Sequence, residues 1–158
     1  MPDIKQVESG KLLCLEMRGS LRELPACFAQ LEEYVRARRV PVKGDRLAII
    51  YDNVPGFDRE RAHFAAAVEL AGECTGDGEV TVVVQSVMLA ASEFHAGPWD
   101  GLEAAYQRLT AWIPEHGYRI AGPAREYYLA GSPSDESSWQ TEILIPVERM
   151  QGSGSSGT

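Results

Sequence analysis

The sequence predicts an α+β fold built by tandem, pseudo-symmetric duplication of a strand-helix-strand-strand unit. Three observations predict it: two segments match at a fixed offset, each carries one amphipathic helix, and each helix is flanked by runs of β-forming residues. The offset is 78 (97 minus 19, from Gly19 and Gly97). It sets Leu24 on Leu102, Ala26 on Ala104, Leu31 on Leu109 and Gly44 on Gly122, with Phe28 on Tyr106 and Tyr34 on Trp112 keeping residue type.

The first unit opens with the strand-like run "KLLCLEM". Its helix is read from Leu24, Phe28, Leu31 and Val35, which recur along one helical face. Ser20 and Glu23 of "SLRE" form a candidate capping box, but Pro25 sits deep for an undistorted first turn, which moves the start toward Glu23. The basic run "RARR" (Arg36 to Arg39) closes the helix and complements its C-terminal dipole. The strands "LAIIYD" and "HFAAAVEL" complete the unit, and "GECTGDGE" links it to the second.

The second unit repeats the order: "VTVVVQSVMLAASEF" reads as one β run, and Leu102, Tyr106, Leu109 and Ile113 mark the helix face. Gly117 is its left-handed C-cap. The strands "REYYLA" and "WQTEILIPV" follow, joined by the polar hairpin loop "GSPSDESS". One domain over residues 1–149 results, made of pseudo-repeats 1–74 and 79–149, with a disordered Gly/Ser-rich tail over 150–158.

Composition narrows the function classes. A formal net charge of -8 argues against a nucleic-acid-binding surface, which needs clustered Lys and Arg. Cys14, Cys27 and Cys74 form no CxxC pair, so reduced, buried thiols are expected, with no structural metal and no cofactor. His63, His95 and His116 lack metal-ligand spacing and read as surface or helix-terminal residues. The N-terminus has no apolar signal region and no later stretch is long enough to span a membrane, so a cytoplasmic protein is expected.

Duplication supplies an internal control, because a position that carries scaffold alone keeps its residue type in both copies. At an offset of 78, Glu142 falls on Phe64 and Glu126 on Ala48, so both carboxylates belong to the second half. If Ile143, Ile145 and Val147 face the helix, Glu142 faces away, and a hairpin between the last two strands is expected to gather Glu126, Tyr128 and Glu142 on that non-helical face. Two readings of Glu142 stand: a solvated residue on an open sheet face, or an acid inside aromatic walls. Tyr51, Trp99, Tyr128 and Trp139 lie at strand ends or loops, where they can wall a cleft suited to an apolar cation. Tyr106 and Trp112, on the helical face, read as core.

Over residues 95–147, the stretch "HAGPWDGLEAAYQRLTAWIPEHGYRIAGPAREYYL" with the later "TEILIPV" resembles the GyrI-like small-molecule-binding domain, the effector-binding domain of MerR- and AraC-type multidrug regulators. The first half resembles it more weakly. The resemblance implies antiparallel sheets with a ligand cleft between the two halves. It also implies a buried glutamate ringed by tyrosines that holds lipophilic cations; the motif carries this to Glu142 and Tyr128, and Glu126 matches as well. Trp99 stands where tyrosine is commoner.

The leading expectation is therefore binding of a hydrophobic, often cationic small molecule by Glu142, Tyr128, Trp99, Glu126, Tyr51 and Trp139. The alternative is a stand-alone hydrolase of cyclopropanoid electrophiles, with Glu142 or Glu126 activating water and Tyr128 or the other acid assisting. Starting at Met1 directly in the domain, the chain reads as a stand-alone member or an excised effector domain. In neither case is DNA its own partner. A regulator's DNA-binding domain or gyrase is the candidate protein partner.

Overall fold

The computed structural model of the chain describes residues 1–132 and 134–150. Of the expected tail over 150–158, residues 151–158 lie outside the described residues, as does Pro133 of the hairpin loop, while the Met150 amide donates to the Gly117 carbonyl at 2.9 Å. In order come β1 (Asp3–Val7), β2 (Gly10–Gly19), α1 (Leu24–Arg38), β3 (Val42–Ile50), β4 (Ala62–Leu70), β5 (Val80–Gln85) and β6 (Met88–Ala96). Then follow α2 (Leu102–Glu115), β7 (Tyr118–Ile120), β8 (Ala124–Ser132) and β9 (Asp135–Arg149).

Both helices start as the sequence suggests, with one refinement. The Ser20 hydroxyl accepts from the Arg22 amide at 3.1 Å and caps a short 3-10 turn, Leu21–Glu23, so it does not form the expected box with Glu23. The α-helix begins at Leu24, which puts Pro25 in the first turn, where a missing N–H is no loss. Arg39, with φ of 53°, ends α1 in the left-handed region, and Gly117, with φ of 85°, follows α2.

The strands form one continuous sheet in the order β1-β6-β9-β8-β3-β4-β2-β5, with β7 beside β9. The strand pairings among the described residues are antiparallel, and β3 against β8 joins the two halves. Ala48 lies directly opposite Glu126, its equivalent at the offset of 78 (126 minus 48), so the pseudo-twofold axis passes between these two residues. Ile50 against Ala124 and Arg46 against Tyr128 are the same pairing seen from either side of that axis.

Two expectations need correction. The run "VTVVVQSVMLAASEF" is two strands, because β5 pairs with β2 of the first half while β6 pairs with β9 of the second, and those partners lie toward opposite ends of the sheet. Likewise β1 leaves the first half to pair with β6. Each unit therefore lends a leading strand to its sister. The second correction concerns the last strand: Met17 opposes Phe64 and His95 opposes Thr141, which makes Thr141 the equivalent of Phe64 at an offset of 77 (141 minus 64). Glu142 corresponds to Ala65, and a slip of one residue in a strand moves every side chain to the other face.

Both helices pack on one face of the sheet. There Phe28 and Leu31 of α1 and Tyr106 and Leu109 of α2 meet Phe64, Ala66, Ile143 and Ile145 in one core. The other face carries a second cluster of Leu12, Cys14, Leu47, Ile49, Ala65 and Ala67, with Tyr127 against it. It is buried because the sheet curls: the Arg125 guanidinium on β8 donates to the Gln85 side chain on β5, four strand positions away. In a flat sheet those strands would stand about 19 Å apart.

Candidate functional site

On the helix-bearing face, a cavity of about 1060 Å³ opens between the halves, above β3 and β8. Leu24 and Phe28 of α1 form one side, and Trp99, Tyr128 and Trp139 of the second half form the other. Arg59, from the connection between β3 and β4, closes its floor.

The aromatic wall is assembled by local backbone constraints. Gly97, at φ of 110°, and Pro98 turn the chain out of β6 into a 3-10 turn, Trp99–Gly101. The Gly97 amide donates to the Trp139 carbonyl at 2.8 Å, tying this turn to β9. A His95 ring nitrogen lies 2.8 Å from the Pro98 carbonyl, and a Cβ on Gly101 would come within 2.7 Å of the same ring, so any larger residue there would have to displace the imidazole. Trp99 is thereby set between two aromatics, with ring centroids 5.0 Å from Tyr128 and 5.0 Å from Trp139. Phe28 meets Tyr128 edge-on at 6.0 Å.

Behind Tyr128 lies Glu126, fully buried. Arg59 grips it with two hydrogen bonds, Nη1 to Oε2 at 2.9 Å and Nη2 to Oε1 at 3.1 Å. The Tyr106 hydroxyl donates to Oε2 at 2.7 Å and the Tyr128 hydroxyl to Oε1 at 2.8 Å. Four donors thus occupy the carboxylate's four acceptor positions. Burial by itself pushes the Glu126 carboxyl up, but the Arg59 charge and the hydrogen bonds from Arg59, Tyr106 and Tyr128 outweigh it and hold the group below the usual carboxylate range. Burial, then the adjacent carboxylate, raise both tyrosine hydroxyls well above their ordinary value, so both are donors at neutral pH.

Glu126 and Tyr128 face the helices, not the open face as expected, and Glu142 does not join them. Opposite Tyr127 in the β8–β9 pairing, it lies on the other side of the sheet. There it accepts from Lys5 Nζ at 2.8 Å and Ser92 Oγ at 2.7 Å, and it is buried. The shared face of Glu126, Tyr128 and Glu142 is thus corrected, and with it the paired-carboxylate constellation of the hydrolase reading. Tyr51 is corrected too. It follows Ile49 on the face away from the helices, and its ring lies tilted against His63 with centroids 4.6 Å apart, off the cavity wall. Trp99, Tyr128 and Trp139 come together.

Sequence reasoning missed Arg59, Tyr106, Phe28 and Thr141. Arg59 sits in the mixed-charge stretch "DRER" of an irregular connection, and no periodicity points from it to β8. For Tyr106 a signal existed. Tyr106, Glu126 and Tyr128 stand where the first half has Phe28, Ala48 and Ile50, three buried core residues. The second half has replaced an apolar triad by a hydrogen-bonded one, and the hydroxyl gained over Phe28 is the group that reaches Glu126. Among the described residues, no group of three or more His, Cys, Asp or Glu side chains is placed to hold a metal, and no helix is long and apolar enough to cross a membrane. Cys14, Cys27 and Cys74 are free thiols, the first two buried and Cys74 partly so.

The sequence profile of the GyrI-like small molecule binding domain matches residues 1–148. No curated protein matches the chain in sequence. Among solved structures, the C-terminal domain of EcmrR superimposes with a TM-score of 0.84 at 19% identity, covering 95% of this chain and 98% of that one. EcmrR in its complex with DNA gives 0.85 at 18% identity over 95% of this chain; the match spans 58% of the EcmrR chain. A hydrolase encoded by lin2189 from Listeria innocua gives 0.65 at 12% identity, covering 93% of this chain and 91% of that one. SAV2435 bound to tetraphenylphosphonium gives 0.59 at 13% identity, covering 94% of each. At these identities the likeness is one of fold.

Proposed function

The chain belongs to the GyrI-like small-molecule-binding family, and we propose that it holds a hydrophobic, aromatic-rich small molecule in the cavity between its halves. Trp99, Tyr128 and Trp139 are the walls, and Glu126 is the buried charge behind them. The observation that carries this reading is the unbroken run of tilted, touching rings Tyr128–Trp99–Trp139 along a cavity of about 1060 Å³, room enough for a drug-sized ligand. Aromatic faces give large contact area and cation–π capacity at little cost in side-chain freedom. A base-catalysed hydrolysis draws less support, since the Glu126 carboxylate has its acceptor positions filled and its basicity lowered. In the same reading, the domain supplies ligand sensing to a DNA-binding region, as in a MerR-type regulator.

Trp99→Ala tests the proposal. Losing an indole from the wall costs about 1.5 to 3 kcal/mol, so affinity for hydrophobic dyes, measured by calorimetry, is expected to fall at least tenfold. Unchanged affinity in a variant that keeps its thermal midpoint would refute the cavity as the binding site.

A further inference from the structure

We infer that the ligand of this cavity is an aromatic hydrogen-bond acceptor, neutral or anionic, and that Arg59 makes the selection by standing in the place a ligand cation would take. The inference rests on the cavity being the binding site, as proposed above, and names the class of molecule it accepts.

The first observation is the state of the acid. A lipophilic cation gains from a buried carboxylate when that carboxylate has no counter-charge of its own. Here Glu126 is fully buried and its four acceptor positions are taken by Arg59, Tyr106 and Tyr128. No position is left to accept from a ligand ammonium, and a cation without N–H groups would lie against the Arg59 guanidinium, like charge to like charge. To reach Glu126 it must expel Arg59 from a bidentate, largely buried pair, and the Arg59 backbone is itself tied down, its carbonyl accepting from the Leu21 amide at 2.8 Å.

The second observation is what remains on offer. A guanidinium carries five N–H donors and Glu126 uses two, so three stay with a side chain that lines the cavity and is 23% exposed. Thr141 adds a fourth. It lines the same cavity at 1% exposure, and its hydroxyl is buried with no partner among the described residues. A buried, unpartnered hydroxyl is costly in an empty scaffold and is satisfied by a ligand group at the cavity wall. A guanidinium and a hydroxyl beside two adjoining indoles suit a planar aromatic bearing a carbonyl, amide or carboxylate. The acidic residues around the cavity, Asp45, Glu60, Asp100 and Glu136, are exposed and screened by salt, and Glu60 already pairs with Arg22 at 3.0 Å.

Three probes of one shape test this by calorimetry on the full chain at pH 7: 2-naphthamide, 2-naphthoate and 2-naphthylmethylammonium. The amide and carboxylate are expected to bind at least tenfold more tightly than the ammonium. In Arg59→Met the order inverts, since Glu126 is then uncompensated, while Arg59→Lys keeps the original order. Thr141→Val weakens the amide about fivefold. If the ammonium binds the parent protein as tightly as the amide, the inference falls while the cavity stands as a site. If none of the three binds, the inference and the function proposed above fall together. The ranking in the parent protein decides between these results even if Arg59→Met does not fold.

Discussion

Arg59→Met removes one half of a buried ion pair and leaves the other inside the fold. Breaking such a pair costs about 3 to 5 kcal/mol, the upper end applying where neither charge can regain water. Glu126 is fully buried while the Arg59 side chain is 23% exposed, and two tyrosine hydroxyls stay on the carboxylate, so the lower end, about 3 kcal/mol, is expected. Glu126→Gln leaves the cation at the wetter end of the pair and should cost about 2 kcal/mol. The double variant, with nothing left uncompensated, should lose about 3 kcal/mol, which gives a coupling near 2 kcal/mol between the two sites. Urea unfolding at pH 7, followed by circular dichroism, measures all four proteins. Against a total stability on the order of 5 to 15 kcal/mol, these losses are large enough to read and small enough to survive. Additive effects, with coupling below about 0.5 kcal/mol, would show that the pair is not the unit described here.

Glu142→Gln weakens the bonds to Lys5, whose side chain is 44% exposed, and to Ser92; it should cost about 1 kcal/mol in urea unfolding and leave the affinity for 2-naphthamide within about twofold, because the residue lies across the sheet from the cavity. Acid titration gives a signed test of Glu126. Its carboxyl is held below the ordinary value of 4.5 in the fold, so its ionised form stabilises the protein above that pH, and this contribution is lost as pH falls through the depressed folded value. The stability difference between the parent and Glu126→Gln should therefore shrink from pH 6 to pH 3.

The duplicated plan was legible because its signals are local: the helix faces repeat residue by residue, and Gly97, Pro98 and Gly117 mark turns that need them. The placement of Trp99, Tyr128 and Trp139 around one cavity followed from strand ends and loops. Glu142 does face away from the helices, as expected, but its match to Phe64 and its company with Glu126 and Tyr128 fail for a physical reason. Side-chain alternation is exact within a strand but says nothing across a connection that differs by one residue between copies, and here the offset falls from 78 to 77 before the last strand. The exchange of β1 and β5 was illegible because "VTVVVQSVMLAASEF" stays apolar across the break; only the pairing partners, far away in sequence, tell where one strand stops. Arg59 acts through a tertiary contact with Glu126, and a charged loop residue carries no local mark of that.

The axis between Ala48 and Glu126 has a consequence for how such an acid can arise. In a homodimer of one unit, every residue on the axis would confront its own twin, so a glutamate there would set two carboxylates side by side in a core with a single cavity to serve. Such a pair would repel, and one member would have to stay protonated. Once both units share a chain, each side of the axis changes independently, and an alanine can stand against an acid. With both units on one chain, a single carboxylate can stand on the axis with a guanidinium, not a second carboxylate, as its partner.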